Sequence, residues 1–367
     1  MDWEQITQLC SRTPLPELLD SVARHLPGEI TVDVWLWDYQ RRLVTAMGSG
    51  RRVAAEDLPL LAAELAAVHD LNLLGESLGL VTLDGQPEPA EGTGELIGRL
   101  AALLAPAVRA GASVSDAEAV ARRLRPLSLP AEMQWHLLPP SQLRHGELAL
   151  SAAVEPAYDT GGDVFDYALN GNRLFVAVLD ARGHGLRAAT TVAVATGAMR
   201  RARRSGEDLA TIAAEMSTSI GSLGLPDEFV TAVLVELDLT TWRGHWLSAG
   251  HLPPLIVGTD VTPLDLKPTL PLGMVVLGQT SEPTVQPFEL QPDQALTLYS
   301  DGIIENASMD TGTPVGVARF QRSLQDRVTS GPPGGHVARR VVEDLLALTG
   351  PLIRDDATLL IAHRTRA

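Results

Sequence analysis

The sequence holds a single cysteine, Cys10, among its 367 residues. One thiol excludes an intrachain disulfide framework and any Cys-rich zinc site. Basic residues are also in deficit, with 29 Lys and Arg against 45 Asp and Glu and a formal net charge of −16. A nucleic-acid binder would normally show a basic face, so no nucleic-acid partner is expected. An acidic balance does not fix the sign of any one patch, and an acidic cleft is equally suited to hold a cation. No apolar run approaches the ~18–20 residues that span a bilayer, so no membrane segment is expected. The opening "MDWEQITQLC" lacks the charge and apolar order of a signal peptide, and a cytoplasmic protein is the expectation. What remains, 45% hydrophobic and 20% charged residues, is the composition of an ordinary globular protein. The length suggests two or three domains with a sizeable core.

The pattern divides the chain at about residues 112 and 140. Within 1–112, "PLPELLDSVARHL" reads as an amphipathic helix with Leu18, Leu19, Val22 and Leu26 on one side. "ITVDVWLWD" alternates, placing Val32, Val34 and Leu36 on one face and Asp33, Trp35 and Trp37 on the other. "RRLVTAMGS" reads as its hairpin partner, "ESLGLVTLDG" as a later strand and "GELIGRLAALLAPAVRAG" as a closing helix. That order resembles a GAF or PAS sensor domain, which implies a small-molecule or protein signal. Residues 113–140 read as a proline-interrupted helical linker, in which Ser115 and Glu118 fit a capping box. Such a helix packs against a neighbour or its own copy, so a homodimer through it is one expectation and a solvated linker the other.

From residue 141 to 367 strands and paired helices alternate in blocks. "ELALSAAVEPA", "RLFVAVLD", "FVTAVLVELDL", "RGHWLSAG", "PPLIVG", "ALTLYSD" and "ATLLIAHR" read as strands. "LRAATTVAVATGAMRRARR" with "EDLATIAAEMSTSIGSL", and "GVARFQRSLQDRV" with "GGHVARRVVEDLLALT", read as helical pairs. The expected class is α+β, with stacked antiparallel sheets and helices outside. "RRARR" at the end of a helix suits the negative end of its dipole.

Four aspartates sit at the edges of strand-like segments: Asp163 in "DTGGDVFD", Asp180 in "VAVLDARGHG", Asp301 in "LTLYSDGIIE" and Asp355 in "LIRDDATLLIA". Any one of them could be a turn former or helix cap. Together they read differently, because converging carboxylates repel unless a cation lies between them. Hard oxygen donors, without Cys or a His pair, point to Mg²⁺ or Mn²⁺ in preference to Zn²⁺. Two such ions are the usual equipment for attack on a phosphoryl group by water.

The chain from about residue 130 onward resembles the SpoIIE-like branch of the metal-dependent (PPM, type 2C) serine/threonine protein phosphatases. The motifs are "QWHLLP" (134–139), "GGDVFD" (161–166), "DARGHG" (180–185), "AGHLPP" (249–254), "LPLGM" (270–274), "YSDGIIE" (299–305) and "DDAT" (355–358), in the family's order. The resemblance implies an α/β/β/α sandwich and two divalent cations, Mn²⁺ or Mg²⁺. It implies that Asp180 bridges the ions and the Ala181 carbonyl joins one. Asp301 and Asp355 would complete the first ion, and Asp163 would hold the second, directly or through water. It further implies one-step hydrolysis of phosphoserine or phosphothreonine by a metal-activated water. Asp166 and Asp356 are expected to orient ligands or waters, Glu305 to support the Asp301 loop, and His184 to shape a turn rather than act as an acid. His251 is assigned no chemistry. The arginine that eukaryotic relatives place upstream of the first aspartate is missing from "VEPAYDTGGD", which puts more weight on metals and partner for phosphate binding. The implied substrate is a phosphorylated STAS-type anti-anti-sigma factor in bacterial partner switching. A pseudophosphatase that only binds a partner, and a two-metal hydrolase for small phosphoesters, are the alternatives.

Overall fold

The computed structural model describes residues 2–366 apart from 16, 27, 86–91, 157, 159–160, 226, 268, 275–282, 309–312, 331–335 and 350–354. Contacts divide the chain into two compact units, Met1–Pro126 and Leu127–Ala367.

The first unit runs α1 (Trp3–Arg12), α2 (Glu17–Ala23), β1 (Thr31–Trp37), β2 (Leu43–Ala46), β3 (Arg52–Ala54), α3 (Leu58–Glu64), β4 (Ala67–Leu73), β5 (Glu76–Asp84), α4 (Thr93–Gly111) and α5 (Ala117–Ala121). Its antiparallel sheet has the order β3-β2-β1-β5-β4. The alternation in β1 is realised as a two-sided strand. Val32, Val34 and Leu36 pack with Leu18, Leu19, Val22 and Leu26, and with Leu100 and Leu104 of α4. Trp35 faces the other way, onto Val44, Ala46 and Leu61, with Trp37 packed at the margin of that cluster. The expected capping box does not form. Asp116 stands at the cap of α5, and Glu118 turns inward to accept hydrogen bonds from Arg109 at 2.7 Å and Arg122 at 3.3 Å. A buried carboxylate with two guanidinium partners gains more than an exposed cap would. α1, β3, α3 and β4 lie where no element was anticipated.

The second unit runs α6 (Leu129–Leu137), β6 (Gln142–His145), β7 (Leu148–Glu155), β8 (Asp163–Asn170), β9 (Arg173–Ala181), α7 (Leu186–Arg204), α8 (Leu209–Gly221), β10 (Val230–Asp238), β11 (Arg243–Ala249), β12 (Leu255–Val257), β13 (Val261–Pro263), β14 (Gln286–Glu289), β15 (Ala295–Tyr299), α9 (Gly302–Glu305), α10 (Val317–Ser330), α11 (Val337–Thr349) and β16 (Ala357–Arg364). Residues 334 and 335 of the anticipated last helix lie outside the described residues. One sheet has the order β14-β11-β10-β9-β8 and the other β13-β12-β15-β16-β7-β6. Every ladder between named strands of these sheets is antiparallel.

Strand periodicity builds three layers of core. Val176, Val178, Val233 and Val235 of the first sheet meet Leu298, Leu360 and Ala362 of the second. The opposite faces carry helices: Ala177, Leu179 and Leu234 pack under α7 and α8, and Leu255, Tyr299 and Leu359 under α10 and α11. The unit is therefore the α/β/β/α sandwich anticipated from the sequence, within an α+β chain. Among the described residues no helix is long and apolar enough to cross a membrane.

Candidate metal centre

The site lies where the inter-sheet rows run out of apolar residues. On β9 the row Leu174, Val176, Val178 points between the sheets, and Asp180 is its next member. On β8 Phe165 takes that face, and Asp163 precedes it by one period. On β16 the row Ala362, Leu360 continues to Thr358 and Asp356, and on β15 Leu296 and Leu298 lead to Ser300. Period-two alternation thus brings polar ends of four strands to one end of the seam.

Asp163 and Asp180 are directly opposed across the β8–β9 ladder. Asp163 is 2% exposed, and its Oδ2 is buried with no hydrogen-bond partner among the described residues. Burial, then the charges of Asp180 and Asp356, push its carboxyl well above the ordinary range, against a smaller opposing effect of the Ser300 and Thr358 hydroxyls. Burial, with Asp301, Asp355 and Asp356 nearby, pushes Asp180 up to about 7. Asp301, half-buried at the cap of α9, is raised by burial and by Asp355 and Glu305. Asp355 is exposed. Asp180 thus lies within electrostatic reach of Asp163, Asp301 and Asp355, each raising the cost of its charge or having its own raised by it.

The backbone around them is tightly fixed. Asp356 Oδ2 accepts from the Gly162 amide at 2.9 Å and the Asp163 amide at 3.3 Å, joining the two sheets at this edge. Ser300 Oγ donates to the Asp356 carbonyl at 3.1 Å and accepts from the Thr358 amide at 2.9 Å. A Cβ on Gly302 would stand 2.0 Å from the Asp356 carbonyl oxygen, so "SDG" needs glycine after its aspartate. Asp356 is expected to orient ligands or waters; its contacts here are to the backbone amides of Gly162 and Asp163.

The same expectation for Asp166 is overturned. On β8 it faces away from the seam, under α7, where Arg200 and Arg203 each bind it at 2.9 Å. It lies three positions after Asp163, an odd offset, so alternation sends the two side chains to opposite faces. Two of the "RRARR" arginines thus neutralise a buried carboxylate rather than only serving a helix end. His184 and Glu305 are exposed. His251, assigned no chemistry from the sequence, is buried and hydrogen-bonded to both sheets. A cavity of about 370 Å³ opens beside the aspartates, lined in part by Asp180, Thr231, His251, Leu252, Asp301 and Glu305.

These residues fit a hard divalent cation. The donors are oxygens, one of them an orphaned buried carboxylate oxygen. A Cβ at Gly162 would lie 3.2–3.5 Å from Gly183 O, Ala181 O and Asp356 Oδ2, so the missing side chain leaves a small oxygen-lined space. Among the described residues no three His, Cys, Asp or Glu side chains stand close enough together to hold a metal ion as they are.

The family signature described as Stage II sporulation protein E (SpoIIE) matches residues 170–365. The chain belongs to that family. A curated relative, phosphoserine phosphatase RsbP of Bacillus subtilis (strain 168), is 24% identical over 187 residues, covering 49% of this chain and 45% of RsbP. The chain thus matches less than half the length of that relative. The SiaA-PP2C domain of Pseudomonas aeruginosa, 22% identical, matches 64% of this chain and 92% of its own at a TM-score of 0.52, a likeness of fold.

Proposed function

We propose that residues 141–367 form a Mn²⁺- or Mg²⁺-dependent serine/threonine phosphoprotein phosphatase. The observation that carries this reading is the cluster of uncompensated aspartates at one end of the sandwich seam, in a chain of the SpoIIE family. Asp180, Asp301, Asp355 and Asp163, with the carbonyl of Ala181, are the proposed holders of two ions. Divalent cations at such a site lower the pKa of water and offset the charge of a phosphoryl group. A bound cation would hold ionised the carboxylates that the chain alone pushes toward protonation, and the chain fixes their backbone through Asp356 and Ser300. The adjoining cavity would admit a phosphorylated side chain to the edge formed by Asp180 and Asp301. His184 is not needed as an acid.

The substrate we propose is a phosphorylated STAS-type anti-anti-sigma factor, a regulatory protein consistent with a phosphoserine phosphatase among the relatives. Residues 1–112 are read as a GAF- or PAS-like sensor and 113–140 as the linker, with a cytoplasmic dimer as the working assembly. The linker has a means of acting on the site. Gln134 of α6 is buried and donates from Nε2 to the Asp163 carbonyl at 2.6 Å, and Ser128 donates its amide to the Tyr158 carbonyl at 2.9 Å. The deciding experiment is hydrolysis of p-nitrophenyl phosphate and a phosphoserine protein with Mn²⁺, with chelator, and with Asp180→Asn. Metal-independent activity, or activity that survives the substitution, sinks the proposal. Partner binding without turnover would instead identify a pseudophosphatase.

A further inference from the structure

His251 follows the end of β11 in the "AGHLPP" turn, with its ring buried between the sheets. Its Nδ1 lies 2.7 Å from Thr231 Oγ1, and its Nε2 lies 3.1 Å from the Tyr299 carbonyl oxygen. A carbonyl oxygen can only accept, so Nε2 carries the proton and Nδ1 accepts from the Thr231 hydroxyl. The ring is therefore a neutral, directional link, in keeping with burial that pushes its pKa down to about 4.

The two ends of that link are informative. Thr231 on β10 is the register partner of Asp180, while Tyr299 ends β15 two residues before Asp301. The turn carrying the ring is itself held. Ser248 Oγ donates to the His251 carbonyl at 2.8 Å and accepts from its amide at 3.1 Å. Gly250 has a φ of +67°, and a Cβ there would lie 2.5 Å from Pro271 Cγ in "LPLGM". Apolar packing fills the rest of the seam and is non-directional, so it fixes spacing between sheets poorly at the scale a metal site requires. Asp356 pins the Asp163 side of this end through the Gly162 and Asp163 amides. The Asp180 and Asp301 side is pinned by Thr231, His251 and Tyr299.

We infer that His251 is a cross-sheet strut, a positioning residue that sets where the Asp301 turn stands relative to Asp180. The inference rests on the metal-centre reading above. It gives "AGHLPP" and "LPLGM" a role at the site although neither contributes a carboxylate. A histidine that merely filled core would leave metal response untouched once stability was accounted for; a strut would not.

The test uses the full chain as wild type, His251→Ala, His251→Gln, Thr231→Val, and Arg327→Ala, which removes an ion pair with Asp344 between α10 and α11. Two readouts are taken: the Mn²⁺ concentration that half-saturates the rise in Tm, and the concentration giving half-maximal p-nitrophenyl phosphate hydrolysis. His251→Ala is expected to raise both by ~10-fold or more, the range seen when residues that orient ligands are lost. His251→Gln, whose amide can donate to the Tyr299 carbonyl, should recover part of the loss. Thr231→Val, nearly isosteric, should shift both in the same direction by less, and it carries the test if His251→Ala fails to fold. Arg327→Ala should lower Tm and leave both Mn²⁺ midpoints in place. Wild-type midpoints in Thr231→Val and the His251 variants overturn the strut while leaving the metal centre standing. A wild type that responds to Mn²⁺ in neither readout overturns the metal centre itself.

Discussion

Asp163 and Asp166 sit three residues apart on β8, at 2% and 1% exposure, and the chain treats them in opposite ways. On the helix side, Asp166 is given two arginines at 2.9 Å. On the seam side, Asp163 faces more carboxylates and keeps an oxygen without a hydrogen-bond partner among the described residues. Leaving a buried charge uncompensated costs several kcal/mol per ion. Neutralising one buried aspartate with arginines while leaving its neighbour among like charges is the pattern that the proposed cation site would need. The contrast locates the site more sharply than either residue does alone.

The strongest way to break the comparison is to remove one seam carboxylate. Asp180→Asn should reduce Mn²⁺-dependent hydrolysis by more than the ~10²-fold that loss of a merely orienting residue causes, measured as kcat/KM on p-nitrophenyl phosphate. Removing the helix-side acid should do the reverse. Asp166→Asn leaves Arg200 and Arg203 without their shared partner, and a broken buried pair costs about 3–5 kcal/mol. Denaturant unfolding should show that loss, while the Mn²⁺ midpoint for activity stays where it was. A shifted midpoint would mean that the two faces are coupled after all.

Gly302→Ala probes the turn after Asp301 and should act on both quantities. Its Cβ meets the Asp356 carbonyl, so a destabilisation of about 1–3 kcal/mol is expected from overpacking. A weaker Mn²⁺ response should accompany it, since Asp301 and Asp356 flank that contact. The mildest test is of pH in the metal-free chain. The pKa of Asp180 is raised in the folded state from 3.8 to about 7, so the stability tied to its protonated form is full below about pH 4 and is lost as pH rises through 7. Relative to Asp180→Asn, the wild type should therefore lose Tm steadily from pH 4 to pH 8 in chelator, and Mn²⁺ should restore it. A difference that is flat with pH would remove the like-charge argument.

Much of this is legible in the sequence. Alternation in "TVDVWLW" placed Val34 and Trp35 on their correct faces, because a strand buried on both sides sorts its residues by parity. Paired helices and apolar strands gave the sandwich. The four aspartates stand out because each lies at the edge of an apolar, strand-like run, Asp180 and Asp301 closing one and Asp163 and Asp355 opening one. β8 does not stand out as a strand in the sequence although it carries Asp163, since "DVFDYALN" alternates weakly and opens with a charge. The same blind spot misplaced Asp166: without strand parity, two acids in "GGDVFD" look equivalent. Glu118 was misread for a similar reason, its ion partners Arg109 and Arg122 deciding its direction more than the local capping pattern did.

Composition and pattern set the chemistry on hand: oxygen donors, a single thiol, apolar rows of period two, and glycines where backbone must pass close. Tertiary structure decided which acids share a space and which are neutralised. Hydrogen bonds and ion pairs between residues far apart in sequence, such as Gly162 with Asp356 or Thr231 with His251 and Tyr299, exist only once two sheets are stacked. Electrostatic repulsion and its relief act through distance in space, and linear order carries no measure of it.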